Sequence, residues 1–359
     1  MKESMVKTPL YDLHLQNGAQ MGAFMNCILP LHFGNAAEEH CAVRTKAGLF
    51  DSNHRFEIRL TGADALANLQ NLLCSELSSL QPGMLCRSLM LNFQGGVMDD
   101  VQVYCMDKNE YRLAMHVCNR DKNLRHIERQ KTGDVSLEDL TGALCRMTLD
   151  GPAADAVLRS ATKELPAEKG NFVITTVAGI PCRLSRAGFA GEEGFRLCCS
   201  VEDGARLYDA LLPAGRMHGL RSCGMESFNT LRLEAALSVY GMEMDDAVSP
   251  MDTGFRRLVD LDKRQFIGRD ALVAAGEPRH ARIGLKLKQN IPCSGAKLLH
   301  RDKHVGAITS GAYCPWMEAT LAMALVEKPY REEGRTLFVE TEQEPVEAQV
   351  VPLPFYSRE

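Results

Sequence analysis

Residues 92–104 constrain the fold more than any other stretch, because they predict a β-hairpin with a tight turn. They read Asn-Phe-Gln-Gly-Gly-Val-Met-Asp-Asp-Val-Gln-Val-Tyr. Gly95 and Gly96 are expected to supply the positive φ angles of such a turn. The alternation in Val101–Tyr104 is typical of a half-buried strand. The hairpin therefore places two carboxylates, Asp99 and Asp100, at the start of its second strand.

Asp99 and Asp100 are not expected to act as a pair, because consecutive strand side chains point to opposite faces. We expect one to face inward beside the turn and the other to face water. An inward carboxylate on a rigid hairpin is a candidate for proton transfer or for binding a ring nitrogen. The alternative is a solvated or capping aspartate without a chemical role.

Size and composition predict a globular protein of two or three domains. The chain has 359 residues, of which 45% are hydrophobic and 24% charged, and its net charge is −5. This length is more than a single hydrophobic core usually stabilises. The charge gives no reason to expect nucleic acid or an anionic membrane as partner. The first ten residues lack a signal-peptide core and no apolar run reaches about 18 residues, so we predict a cytoplasmic protein.

The thirteen cysteines predict buried thiols rather than a metal or redox site. No Cys-x-x-Cys pair occurs, and the only close pair is Cys198-Cys199. Structural zinc and thioredoxin-like chemistry normally need that spacing. The ten histidines form no His-x-x-x-His pair. We therefore expect small apolar thiols in a reducing compartment and no metal.

The remaining patterns predict an α+β fold. Asn35 is a suitable N-cap for a helix near 35–43. Two strand-to-helix turns, Thr61–Ala65 and Asp150–Asp155, lie about 90 residues apart and suggest two related α+β halves. The last 85 residues favour a small β-barrel or sandwich. Further helices are expected at 65–73, 119–130, 153–161 and 203–212, and strands at 56–60, 86–117 (three), 145–149, 172–176, 181–186, 196–200, 283–287, 305–309, 320–326 and 336–340.

Eight segments in order resemble the T-protein (aminomethyltransferase) of the glycine cleavage system and its folate-dependent relatives. They include Asn-x-x-Gly-Gly-Val-Met-Asp-Asp and Gly-Phe-x-Gly-Glu, and the resemblance runs essentially end to end. The segments are Thr8–Tyr11, Leu29–Gly34, Glu39–Asp51, Met90–Asp100, Gly188–Phe195, Thr230–Ala235 with its continuation through Tyr240–Asp245 to Ser249-Pro250, Phe266–Leu272 and Ile308–Gly311.

The resemblance implies three domains around a central channel that binds tetrahydrofolate. The predicted boundaries are 1–50 with 145–245 for domain 1, 51–144 for domain 2, 246–274 for a linker and 275–359 for a C-terminal β domain. The implied reaction moves a one-carbon unit from an aminomethyl group on a lipoylated carrier protein to folate N5 and releases ammonia.

The resemblance also implies the site residues. Asp99 matches the family's key carboxylate near the folate nitrogens. Glu192 matches the glutamate that hydrogen-bonds the pterin, although a turn-exposed glutamate is the alternative. Tyr240 would pack on the folate ring or belong to the core. The other predicted folate contacts are Met90, Asn92, Val101, Arg87, His116 and Phe189.

Several positions depart from the family pattern. Arg87 replaces a tyrosine, His116 an asparagine, and Phe228-Asn229 an Arg-Asp pair. Loss of the arginine at 228 would change which one-carbon donor fits before it affects the fold. The alternatives are therefore a tetrahydrofolate-dependent demethylase of a small methylated compound, or a non-catalytic folate-binding regulatory protein. An Arg87–Asp99 pair would favour an anionic donor.

Four other polar residues had no assigned chemistry. Arg232 and Glu234 lie two apart on a predicted helix and do not face each other, so ion pairing elsewhere is expected. Asp51 and His54 are either near the channel or capping residues.

Overall fold

The computed structural model describes residues 5–358, so the outer limits of the predicted first and last domains, residues 1–4 and 359, lie outside it. The chain packs as two compact units. The first contains the chain up to Leu69, Leu77–Arg87 and Val101–Asn229. The second contains Gln70–Glu76, Ser88–Asp100 and the chain from Thr230.

The described residues form eight α-helices and twenty strands. The helices are α1 (Tyr11–Gln16), α2 (Ala36–Thr45), α3 (Ala65–Leu72), α4 (Arg120–Gln130), α5 (Ala154–Arg159), α6 (Gly204–Gly215), α7 (Met225–Glu234) and α8 (Arg269–Ala275). The strands are β1 (Val6–Lys7), β2 (Gln20–Phe24), β3 (Cys27–His32), β4 (Ala47–Asp51), β5 (Arg55–Thr61), β6 (Leu85–Leu91), β7 (Val97–Asp107), β8 (Glu110–His116), β9 (Ser136–Asp139), β10 (Leu144–Asp150), β11 (Phe172–Val177), β12 (Ile180–Arg186), β13 (Gly194–Ser200), β14 (Leu220–Cys223), β15 (His280–Leu287), β16 (Lys297–His300), β17 (Lys303–Cys314), β18 (Ala319–Glu327), β19 (Thr336–Val339) and β20 (Val346–Val351).

The local predictions for helices and strands are confirmed. Helix α2 begins after Asn35, whose side chain accepts the N–H groups of Ala37 and Glu38. This N-cap satisfies two of the amide groups that a helix start leaves without partners. Residues 86–117 contain β6, β7 and β8, as expected, and the hairpin turn lies between β6 and β7.

A six-stranded sheet of the first unit has one apolar and one polar face. Its order is β11-β12-β13-β10-β4-β14, with only β4 and β14 parallel. On β10, Cys145, Met147 and Leu149 belong to a core that includes residues of α5 and α6. The alternate residues Arg146, Thr148 and Asp150 point to the other face. Although they are polar, all three are buried.

An ion triad connects β5 with the six-stranded sheet. Arg183 donates to both oxygens of Glu57, at 2.9 and 2.5 Å, and Arg146 donates to one at 2.5 Å. All three side chains are at most 9% exposed. Burial raises the pKa of Glu57, but the two guanidinium groups outweigh it and lower the pKa to about 2. The triad therefore needs an ionised Glu57.

The C-terminal strands form a closed barrel, which decides between the two predicted architectures. The order is β15-β18-β17-β16-β19-β20. Alternate residues of β15, Ile283, Leu285 and Leu287, belong to a buried apolar cluster with residues of the other barrel strands. Barrel closure removes exposed sheet edges. The predicted α+β class with a C-terminal β domain is confirmed.

The prediction that most of the cysteines are buried thiols is also confirmed. All thirteen lie within residues 5–358 as thiols, and ten are buried. Within the same residues, no three His, Cys, Asp or Glu side chains are grouped so that they could hold a metal ion. No helix in the described part of the chain is long and apolar enough to cross a membrane.

Candidate functional site

The hairpin turn depends on its two glycines for different reasons. The N–H of Asn92 donates to the Gly96 carbonyl at 2.9 Å, and the N–H of Gly95 donates to the Asn92 carbonyl at 3.0 Å. Gly95 has a φ of +83°, whereas Gly96 is not among the residues of positive φ, which corrects the expectation for both. A Cβ at Gly96 would overlap the backbone carbonyl oxygen of Asp246. Close backbone approach explains the second glycine.

Asn92 holds the turn together. Its side-chain oxygen accepts the N–H of Gln94 at 3.0 Å and that of Gly96 at 2.9 Å. Its side-chain amide donates to the Asp246 carbonyl at 2.7 Å. Asn92, which was predicted to contact folate, therefore has a structural role: it fixes the turn that precedes Asp99.

Asp99 and Asp100 are both buried, with 0% and 1% exposure, so the expectation that one faces water is wrong. Strand β7 lies between β6 and β8 in its sheet, and every residue from Val97 to Cys105 is buried. Alternation exposes one side of a strand only where that side faces solvent. One Asp99 oxygen accepts the N–H of Asp100 at 2.7 Å. The solvated alternative for Asp99 is therefore wrong.

Tyr240 and the following segment contact the same turn. The Tyr240 hydroxyl donates to the Asp246 carboxylate at 3.1 Å. The N–H of Val97 donates to the carbonyls of Asp245, at 3.0 Å, and Val248, at 3.2 Å. Asp246 thus connects Tyr240 to Asn92. Sequence reasoning missed Asp246, because it is an exposed aspartate whose contact with Asn92 uses the backbone carbonyl, which no side-chain pattern reveals.

The predicted ion pairing of Arg232 is confirmed with a specific partner. Its guanidinium donates to both oxygens of Glu243 at 3.0 Å, and both side chains are 1% exposed. Glu243 also accepts the N–H of Val239 at 2.9 Å and the hydroxyls of Thr309 and Ser310. The network fixes the start of the segment that reaches the turn.

Glu192 is paired and buried, so the turn-exposed alternative is wrong. The Arg44 guanidinium donates to its carboxylate at 3.0 Å, with both side chains 0% exposed. The same nitrogen donates to the Ala190 carbonyl at 2.6 Å. Arg44 lies on α2, 148 residues before Glu192. Arg44 lies within the family-like segment Glu39–Asp51, but the sequence alone gives no sign of its distant partner.

Asp150 contacts the loop of residues 187–194, which also contains Glu192. Sequence reasoning gave Asp150 no role in the site. It accepts the N–H of Phe189 at 3.3 Å. Burial, with Glu192 as a smaller cause, raises the pKa of Asp150 to about 7, against the opposing effects of the Phe189 N–H, Arg196 and Arg44. A Cβ on Gly194 would overlap its carboxylate. Gly194 of this loop is therefore needed because the backbone packs closely against the Asp150 carboxylate.

Phe228 is the centre of an aromatic cluster in the first unit. Its ring stacks on Phe189, with centroids 5.1 Å apart and planes 6° apart. Edge contacts at 6.1–6.3 Å join it to Phe24, Phe50 and His54. The phenylalanine that replaces the family's arginine is thus packed among rings.

Two histidines extend this cluster. His116, 2% exposed, stacks on His54 with a centroid distance of 6.2 Å. Burial, followed by Arg55 and His116, lowers the pKa of His54 well below its usual value. At neutral pH, His54 therefore adds an uncharged ring.

The other predicted contacts are mainly apolar. Met90 and Val101 are at most 1% exposed, and Arg87 is partly buried on β6.

The predicted site residues are divided between the two units. The second unit contains Asp99, Met90, Asn92 and Tyr240, and the first contains Glu192, Phe189, His116, Arg87 and Val101. Asp51 accepts hydrogen bonds from Thr8, His14 and Asn53, which fits the capping alternative.

Comparisons with known proteins agree with this fold. The GCVT N-terminal domain matches residues 10–263, and the glycine cleavage T-protein C-terminal barrel domain matches residues 281–357. An aminomethyltransferase of Desulforamulus reducens is 34% identical over 99% of this chain and 100% of its own. One of Shouchella clausii is 35% identical over 100% of both chains.

A solved structure agrees as well. The crystal structure of glycine cleavage system aminomethyltransferase T from Bartonella henselae matches with a TM-score of 0.91 and 27% identity, covering 98% of each chain. Family models and relatives both span nearly the whole sequence. The chain therefore belongs to the glycine cleavage T-protein family and is a transferase.

Proposed function

We propose that the chain is a tetrahydrofolate-dependent aminomethyltransferase. The carbon of an aminomethyl group on the sulfur of a lipoylated carrier protein would become bonded to folate N5 and N10, giving methylenetetrahydrofolate, while its bonds to nitrogen and to sulfur break and release ammonia and the carrier thiol. Full-length similarity to proteins named aminomethyltransferase supports the reaction class. The catalytic role is assigned to Asp99 because this carboxylate is buried and follows a turn that hydrogen bonds hold in place.

Asp99 is proposed as the catalytic carboxylate. When bound, tetrahydrofolate would supply the amine nitrogen that takes up the one-carbon unit. A fixed carboxylate stabilises positive charge on such an amine and accepts the proton that is lost as the new bond forms. The turn supports this role because Asn92, which is itself bonded to the Asp246 carbonyl, fixes the backbone at Gly96, three residues before Asp99.

Glu192, Phe189 and Tyr240 are proposed to bind and orient the folate. A carboxylate accepts N–H groups of an aminopyrimidinone ring, and aromatic rings stack on its flat face. The partly exposed Phe189–Phe228 stack suits a planar ligand.

The proposal is tested by ammonia release from an aminomethyl-lipoyl carrier in the presence of tetrahydrofolate. We expect Asp99→Asn to lower kcat by roughly 10²-fold or more, as for loss of an acid–base group. Asp107→Asn is a matched control, because Asp107 is an exposed aspartate at the other end of β7. Ammonia release that is unchanged in Asp99→Asn would disprove the catalytic assignment.

A demethylase of a small methylated ammonium compound is the second candidate. The aromatic cluster around Phe228 favours it, because uncharged rings attract methylated cations through cation–π contacts. Formation of methyltetrahydrofolate from such a donor, without ammonia, would select this function. Folate binding with neither product would select a non-catalytic binding protein.

A further inference from the structure

Two side chains outside the loop, Arg44 and Asp150, hold residues 187–194, which contain Phe189 and Glu192. Arg44 donates from one nitrogen to both the Ala190 carbonyl and the Glu192 carboxylate. Asp150 accepts the N–H of Phe189. The N–H of Ala187 closes the loop by donating to the Gly194 carbonyl at 2.9 Å. The loop is thus fixed at its base and in its centre.

The Arg44 contact is well suited to orient a carboxylate. Both side chains are withdrawn from water, so the pair is screened little and holds Glu192 more firmly than a surface pair would. Arg44 is itself fixed, since it lies in the last turn of α2 and is 1% exposed. The Arg44 guanidinium binds both the Ala190 carbonyl and the Glu192 carboxylate. Because one group holds both, it sets the direction of the Glu192 side chain relative to the loop backbone.

We propose that Arg44 is a positioning residue that orients Glu192 for binding the pterin ring of the folate. This inference rests on the proposed function, in which Glu192 is a ligand contact. In this role Arg44 acts through the direction of the Glu192 carboxylate and not through a contact of its own with the ligand. Removal of Arg44 should therefore weaken folate binding only as far as Glu192 contributes to it.

The test is a double-mutant cycle on folate affinity, measured by calorimetry with 5-methyltetrahydrofolate as probe. We expect Arg44→Met and Glu192→Gln each to weaken binding by roughly tenfold to a hundredfold, the usual effect of losing a charged hydrogen bond. The double variant should be no weaker than Glu192→Gln alone. In the transferase assay, the KM for folate should rise while the KM for the carrier protein stays unchanged.

Two further variants separate positioning from folding. Arg44→Lys keeps the charge and should recover part of the affinity. Arg221→Met removes an arginine on β14 that pairs with the exposed Glu38 of α2, and this variant should bind folate normally. If Arg44→Met fails to fold, Arg44→Lys decides, and wild-type affinity in that variant overturns the proposal.

The possible results distinguish this inference from the proposed function. Weak binding in Glu192→Gln with normal binding in Arg44→Met overturns the role of Arg44 and leaves the folate site intact. Normal binding in Glu192→Gln removes Glu192 from the folate site. That result overturns both the proposed folate contact of Glu192 and the positioning role of Arg44. Additive losses in the double variant show that Arg44 acts independently of Glu192 and also overturn the inference.

Discussion

The Glu57 triad offers a quantitative test of how the first unit is held together. Replacing Glu57 by Gln leaves Arg146 and Arg183 buried without their shared carboxylate. The pKa of Glu57 falls from 4.5 to about 2 in the folded protein. A shift of that size corresponds to about 3 kcal/mol of stability at neutral pH. Breaking buried ion pairs typically costs about 3–5 kcal/mol, which agrees with this figure.

The sign of the pH dependence follows from the lowered pKa. The folded state binds the Glu57 proton less tightly than the unfolded state, so the stabilisation is fully present above pH 4.5 and is lost as the pH falls towards 2. The difference between wild type and Glu57→Gln should therefore be largest at pH 7 and smaller at pH 3. Urea unfolding at the two pH values measures it.

Glu138→Gln is the matched control for this experiment. Glu138 lies on β9 beside β5 and pairs with Arg59, with the two side chains 57% and 39% exposed. Exposed pairs contribute about 0–1 kcal/mol. The reasoning is refuted if Glu57→Gln loses no more stability than Glu138→Gln at pH 7, or if its deficit stays the same at pH 3.

Three further changes test the site and its supports. Gly96→Ala should lower the urea midpoint and the transferase activity together, because its Cβ would overlap the Asp246 carbonyl, and normal activity at wild-type stability would contradict this. Tyr240→Phe removes the bond to Asp246 and should cost about 1 kcal/mol in urea unfolding, with a larger KM for folate if the ring packs on the ligand. Asp150 has a raised pKa of about 7, so its stabilising contribution is complete below pH 3.8 and is lost as the pH rises through 7. Asp150→Asn should therefore reduce the difference between urea midpoints at pH 5 and pH 8, and an unchanged difference would argue against the raised pKa.

The sequence by itself determined the local structure and the family. Periodicity and capping depend on neighbours within a few residues, so the helix after Asn35, the hairpin at 92–104 and four of the six barrel strands followed from the chain alone. The ordered motifs identified the glycine cleavage T-protein family, which the family models confirm.

Tertiary structure decided the surroundings of the candidate site residues. Burial of both Asp99 and Asp100 means that both faces of β7 are covered at these residues, which the alternation of the sequence cannot reveal. Glu192 meets Arg44 across 148 residues, and Asn92 meets Asp246 across 154. Such partners are chosen by the packing of distant segments, where a buried charge or amide must find a partner to offset its lost hydration. The chain supplies the reactive groups, and the fold determines which of them face each other.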